Sequence, residues 1–442
     1  MTKQFKRLLR NMVLLLPGSA LLGTLSLLLV FYLPTETVKR HVLESVDVMM
    51  TDPDQFPKNS FSNYVWANRE SYTDTIMVQN TFESIPEKNA FEHAMRAYHS
   101  DLEKEFWTPE ATIKAFSKGA DQSNMYLHEY PRYWHGYLLY LKPLLMLFNW
   151  EQLTTVGVFV QIFLMITVIA LSVWKKQLGV AVSMVVGFLF MKPVLIFVSL
   201  AMTVCWVITL AALIFMLLKN GWLQKEKLYP EFFLMVGVLT SFFDFLSYPI
   251  VTLAFPLCAF FLINNVDKNG TDIVDSWDEL RQKLQRPVGY SVCWGIGYAG
   301  MWALKWIIAD VTLRTGTVKD AIWSIIGRTE TIGGRSRFNG GFYVIGLNLQ
   351  EYDRSIYPVM AVAVILTSLV LIVIACRKSS VKKVLMDLVP YVIVFCIPFA
   401  WIIVVQHHSA LHARFTFRII AAAVLAVGCM GIQTWKEMKK CK

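Results

Sequence analysis

The chain reads as an all-α, multi-pass membrane protein with about ten transmembrane helices and one large structured loop on the outer side. Three observations predict this class. Hydrophobic residues make up 55% of the 442 and charged residues 17%, with a mean hydropathy of +0.46, a balance suited to bilayer as solvent. Apolar runs able to cross about 30 Å of hydrocarbon, which takes roughly 20 helical residues, recur along the chain. Lys and Arg gather between alternate runs, as the positive-inside bias requires.

The first run, 11–33, follows "MTKQFKRLLRN" and lacks a small-x-small cleavage pattern. It reads as a retained anchor, unit 1–33. Residues 34–151 then form an outer segment too long for a hairpin, and loops of that size are usually functional. Within it, Val38, Val42, Val46 and Met49 recur at helical spacing and predict an interfacial amphipathic helix. "PEKNAFEHAMRAYHSDLEKEF" and "TPEATIKAFSKGA" predict further short helices, the second opened by Thr and Pro in capping positions. "YWHGYLLYLKPLLMLF" is apolar but short and interrupted by Lys142 and Pro143, so it is expected as an interfacial or re-entrant helix.

Spans two to seven are expected within 152–309, at 152–174, 179–196, 199–218, 230–247, 249–264 and 288–309. A second outer loop, 310–355, holds "GRTETIGGRSRFNGGFYVIG", whose glycines and arginines suggest a flexible lid over an anionic substrate. The last unit, 356–442, contains spans 356–376, 386–405 and 414–434 and a basic tail. With the N-terminus inside, half of the 42 basic residues lie in cytoplasmic segments, and both termini are cytoplasmic. A multi-pass membrane location with the chemistry on the extracytoplasmic side follows as the expectation.

The net charge of +10 does not point to nucleic acid. The first outer segment has more acidic than basic residues, and the cytoplasmic positives lie where anionic headgroups are. Membrane lipids are therefore the expected partners. The seven Cys fall in or beside spans or in the tail, so neither a disulfide framework nor a thiolate zinc site is implied. All eight His fall on the outer side of this topology, which points the chemistry outward. No GxxxxGK[ST] or GxGxxG is present, which argues against a nucleotide-driven pump.

Ionisable groups near spans are costly and tend to be functional. Asp244 in "SFFDFLSYP", Lys305 and Asp310 around "WALKWIIAD", and His407, His408, His412, Arg414 and Arg418 in "QHHSALHARFTFR" define one aqueous–lipid boundary. Arg132, His135 and Lys142 join it, and Arg335 and Arg337 approach from the second loop. Such a ring of cations suits a phosphate head whose tail stays in lipid. Asp74 in "NRESYTDTIMVQN" and Glu129 in "HEYPRYW" are the candidate acid–base carboxylates. His408 and His412 stand one helical turn apart, but no HExxH Glu or thiolate accompanies them, so no metal is expected to be required. No other cofactor is implied.

"SYTDTIMVQN", "YPRYWHGYLLYLKPLL", "FDFLSYP" and "HHSALHARFTFR" resemble patterns in bacterial multi-pass proteins placed near the GT-C superfamily of integral-membrane glycosyltransferases. The long first outer loop and the later outer loop resemble that architecture too. The resemblance implies a polyprenyl-phosphate sugar as donor and a cell-envelope glycan or glycolipid as acceptor. It also implies a loop carboxylate as base, which here becomes Asp74, with Arg132, His135, His408, His412 and Arg418 contacting phosphate or acceptor. The paired acidic motif that many members carry after the first span corresponds here only to isolated Glu36, Glu44 and Asp47. Inverting sugar transfer is the expected reaction. A polysaccharide polymerase or acyltransferase, or a lipid-linked oligosaccharide transporter, are the alternatives. An acyltransferase would need an outer His without a polyprenyl-phosphate sugar, and a transporter would show paired repeats and broken midplane helices.

Overall fold

The computed structural model describes residues 3–49, 71–264, 276–352 and 356–440. Every apolar run forms helix, but not every run forms a long one. Seven helices are long and apolar enough to cross a membrane: Phe5–Phe31, Trp150–Trp174, Leu200–Lys225, Trp277–Leu313, Tyr357–Lys378, Val381–Val404 and Ala413–Lys439. The protein is an all-α membrane protein with one small sheet among the described residues.

Helix α1 (Lys3–Phe31) leads into α2 (Glu36–Leu43) and α3 (Val46–Met49). These two bury Val38, Val42, Val46 and Met49, the stripe that the spacing predicts. α4 (Ser71–Phe82) and α5 (Ala90–Arg96) follow, then strand β1 (Tyr98–Asp101), α6 (Pro109–Ser117) and strand β2 (Tyr126–Glu129). The strands pair antiparallel, with Tyr98 opposite Glu129 and His99 opposite His128. This ribbon corrects the purely helical expectation for the loop. Its two four-residue polar strands carry no apolar alternation for a periodicity argument to detect. α7 (Leu138–Leu147) is ten residues, about 15 Å at 1.5 Å per residue, too short to cross.

The bundle continues with α8 (Trp150–Trp174), α9 (Leu178–Phe190), α10 (Pro193–Val198), α11 (Leu200–Lys225), α12 (Tyr229–Phe243), α13 (Ile250–Ile263) and α14 (Ser276–Leu313). The run expected as one span over 179–196 is broken between α9 and α10 at Lys192, which adopts φ +50° just before Pro193. α13 is buried on all sides from Ile250 to Leu262, as a helix that is hydrophobic all round should be. Its short length suits a place inside the protein. α12 packs on α14 at backbone contact, because a Cβ at Gly237 would run into the Trp294 carbonyl.

The second loop, expected from its glycines to be a flexible lid, has regular structure on either side of a turn in which Gly333 and Gly334 take positive φ. It is built as α15 (Thr317–Thr329) and α16 (Arg337–Gln350). Gly341 lies inside α16, where a Cβ would stand 2.7 Å from Ile403 Cγ1. That glycine permits helix–helix approach, which the sequence alone does not distinguish from a glycine that gives flexibility. The chain ends with α17 (Tyr357–Lys378), α18 (Val381–Val404), α19 (Gln406–Leu411), α20 (Ala413–Thr416) and α21 (Ile420–Lys440).

Candidate functional site

The four segments singled out in the sequence meet around one cavity of about 590 Å³. Tyr72, Thr73 and Ile76 come from the start of α4, Tyr130 and Tyr133 from the exit of β2, Phe245 to Ser247 from the α12–α13 turn, and His408 and Ala410 to Phe415 from the α19–α20 segment. Trp107 before α6, Ala201 at the start of α11, Arg328 of α15 and Glu351, just past α16, complete the lining. One wall is aromatic. Trp107 meets Tyr130 edge-on at 4.8 Å between ring centroids, and Tyr130 stacks on Phe245 at 6.1 Å. The other wall is cationic.

Asp74 does not face this space. Its carboxylate accepts from Ser199 Oγ at 3.1 Å, Leu200 N at 3.0 Å and Ala201 N at 2.9 Å, satisfying orphan donors at the α11 N-terminus. A fully buried carboxylate so engaged binds α4 to α11 and is not placed as a base. Asp74→Asn is therefore expected to lower stability by about 1–3 kcal/mol, read as a lower melting temperature of the purified variant. Lost turnover at unchanged melting temperature would return Asp74 to the chemistry.

Glu129 is likewise occupied. Both its oxygens lie on Arg96 Nη1, at 2.7 and 2.9 Å, and Arg96 Nη2 donates to the Leu313 carbonyl, tying the ribbon to the end of α14. Arg132 pairs with Asp320 at 2.7 Å, joining the first loop to α15. Asp244 accepts from Ser247 N and Oγ at 3.0 and 2.5 Å and shapes the α12–α13 turn. Lys305 donates to the Ala94 and Met95 carbonyls at 2.7 and 3.0 Å, at the C-terminal end of α5 where a cation is favoured. Lys142 is buried with its ammonium 5.7 Å from the Phe31 ring centroid, so it does not reach toward headgroups. Arg335 lies over the Tyr343 ring at 4.0 Å, and Arg337 Nη1 reaches the last carbonyls of α18 at 3.3 and 3.4 Å. None of these eight lines the cavity.

His135 supports the aromatic wall without lining it. Its Nε2–H donates to the Tyr130 carbonyl at 2.9 Å, and Nδ1 takes the Tyr137 hydroxyl at 3.1 Å. Burial, reinforced by Lys305 and only partly offset by the Tyr130 carbonyl, pushes its pKa down to about 3. The unfolded chain, near 6.5, takes that proton first. The neutral ring thus contributes stability that is complete above about pH 6.5 and is lost as pH falls toward about 3. Thermal unfolding should show a melting temperature that drops between about pH 7 and pH 5, less steeply in His135→Gln. An unchanged slope in that variant would remove His135 as a source.

His408 and His412 do line the cavity, their rings 4.7 Å apart. His408 donates from Nε2 to the Leu246 carbonyl at 3.0 Å, which leaves Nδ1 as an acceptor in the neutral ring. Burial, with His412 and Arg328 nearby, holds its pKa down at about 3. Leu246 follows Phe245, against which His135 packs at 5.2 Å, so His135 and His408 share one end of the bundle. Among the described residues, no group of three or more His, Cys, Asp or Glu is placed to hold a metal ion.

Arg418 lies one turn beyond Arg414, beneath the lining. It is fully buried, and Nη1 donates to the Arg414 carbonyl at 2.5 Å. Its Nε and Nη2 have no acceptor. Buried donors without partners are rare in folded proteins and call for an explanation. Near it stands Lys192, buried against the Tyr352, Tyr357 and Phe417 rings at 4.9 to 5.5 Å and donating to the Glu351 carbonyl.

Two functional candidates were not anticipated from sequence. Lys192 stands inside an apolar run, in "FLFMKPVLIF", and a cation in that setting is itself a signal. Glu351 carried no such mark, being one acid among many in a polar loop. It is the single carboxylate among the cavity's described lining residues. Burial raises its carboxyl above the usual 4.5, against the opposing pull of Lys192, Arg414 and Arg418.

No family model, curated protein or solved structure matches the chain.

Proposed function

We propose that this protein is a GT-C-type glycosyltransferase that moves a sugar from a polyprenyl-phosphate donor to a cell-envelope glycan or glycolipid acceptor. The observation that carries this reading is the buried Arg418 guanidinium, with Nε and Nη2 unsatisfied, beneath a cavity that also presents Arg328, Arg414 and one carboxylate. A buried charge of this kind is costly unless a partner arrives, and a phosphate monoanion on a lipid carrier is such a partner. In this reading α9, α12 and α13 join the seven long helices in a ten-span bundle, both termini lie in the cytoplasm, and the cavity opens on the outer face of a bacterial inner membrane.

The proposed reaction needs few parts. The acceptor hydroxyl oxygen attacks the anomeric carbon as the bond to the phosphate oxygen breaks, through an oxocarbenium-like state. The electron pair leaves with the phosphate, whose growing charge is met by Arg414 and Arg418. The hydroxyl proton goes to Glu351, which takes the role first expected of Asp74. The aromatic wall of Trp107, Tyr130 and Phe245 offers flat apolar faces to a sugar ring. A single carboxylate suffices for inversion, since a phosphate leaving group needs little acid assistance.

The test is reconstitution of the full chain in liposomes with a radiolabelled polyprenyl-phosphate hexose and extracted envelope glycolipid, alongside mass analysis of envelope glycans in cells with and without the protein. Transfer of label, matched by loss of one sugar from the glycans, is the expected result. Unchanged glycans and no transfer from any polyprenyl-phosphate sugar would overturn the reading.

A further inference from the structure

A second cavity, of about 300 Å³, lies at the opposite end of α21, roughly 30 Å away at 1.5 Å per helical residue. It is enclosed by the last turn of α17, the first turns of α18 and the last turns of α21. Its floor is rich in acceptors. Asp387 Oδ1 takes Lys283 Nζ at 2.7 Å, and Glu437 Oε1 takes Gln433 Nε2 at 3.3 Å. Gln433 Oε1 is buried without any donor, on a residue only 7% exposed. Lys378 and Lys383 line the same cavity from exposed positions, forming a cationic rim.

This division of charge selects the ligand. An inorganic phosphate would suit the rim lysines but would be repelled by the Asp387 and Glu437 carboxylates of the floor. A primary ammonium brings three donors, matching Gln433 Oε1 and the adjacent Glu437 carboxylate. Beside the cavity, Val381 and Leu385 are exposed one turn apart on α18, and on the opposite face of α21 the exposed Trp435 lies under Lys439 Nζ at 3.8 Å. The Trp–Lys pair sets this end of α21 at the level of the membrane interface, and the exposed aliphatic side chains of α18 give acyl chains a surface to lie on.

We infer that this cavity binds an aminophospholipid head, with its phosphodiester between Lys378 and Lys383 and its ammonium on Gln433 Oε1 and Glu437. The site stands independently of the glycosyl-transfer reading. Basic recesses between transmembrane helices recur as lipid-headgroup sites, and the acceptor floor is what specifies an amine here.

The test uses the detergent-purified full chain, titrated with short-chain phosphatidylethanolamine, phosphatidylglycerol and inorganic phosphate while lipid retention is followed by native mass spectrometry. Phosphatidylethanolamine should bind at least tenfold more tightly than phosphatidylglycerol, with no saturable effect of phosphate. Glu437→Gln should erase that preference, and Lys383→Met should weaken both lipids alike. Should Glu437→Gln fail to fold, Gln433→Met gives the same readout. Equal binding of the two lipids, saturation by phosphate alone, or a preference that survives both floor variants would overturn the assignment.

Discussion

Glu351→Gln is expected to reduce sugar transfer by roughly 10²–10⁴-fold, the usual contribution of a positioned general base, while leaving expression and melting temperature intact. The stability expectation follows from burial. This carboxyl is held above its usual range because desolvation disfavours the charged form, so the neutral amide relieves a cost and the fold does not suffer. The pH dependence has a definite sign. A base must be ionised to accept the hydroxyl proton, so turnover in the native protein should fall as pH drops through the raised carboxyl pKa. In Glu351→Gln the residual rate should lose that limb, and Glu351→Asp should recover part of the activity with the limb restored. A wild-type rate in Glu351→Gln, or a pH limb that persists unchanged in it, would remove this residue from the chemistry.

The second large effect is expected at Arg418. Replacing it with Met keeps much of the side-chain volume and removes a buried guanidinium whose Nε and Nη2 lack acceptors. Apolar replacement of poorly compensated buried charge is often neutral or stabilising, by about 1–4 kcal/mol. The melting temperature of Arg418→Met should therefore hold or rise. Donor use should collapse in the same variant, by about 10²–10³-fold in kcat/KM, the scale of losing one preorganised group at a developing charge. Arg418→Lys should retain part of the activity, because a point charge remains while the two-pronged donor geometry is lost. Gain of stability with loss of function marks a group kept for its ligand. Unfolding of Arg418→Met with an unchanged donor KM in the surviving fraction would assign Arg418 to packing.

These two residues differ in how visible they were. Arg418 stood out because a cation at the head of an apolar run is costly wherever the helix sits, and that cost is a property of the sequence. Glu351 carried no comparable mark, and only the fold shows that the turn after α16 brings it to the cavity beside Arg414. Asp74 misled for the converse reason. An acid among apolar neighbours in a long loop suggests chemistry, yet its setting is explained equally well by capping a distant helix. Its partners at 199–201 are more than a hundred residues away. Gly340 and Gly341 of the second loop misled in the same manner, since a glycine for close helix packing and one for a flexible turn, such as Gly333 or Gly334, are identical in a string of letters.

The sequence by itself determined the solvent, the helices and their rough limits. Burying backbone polar groups in hydrocarbon leaves an apolar run little choice but helix, a constraint local enough to read residue by residue. It also marked the four segments that come together at the cavity, because polar and aromatic residues crowded beside apolar runs are unusual in themselves. Only the tertiary structure decided which charges neutralise one another and which face empty space. Glu129 with Arg96, Arg132 with Asp320, and Lys305 with the end of α5 are settled by contacts between distant parts of the chain, and a charge's role depends on the partner it meets, which no local pattern records.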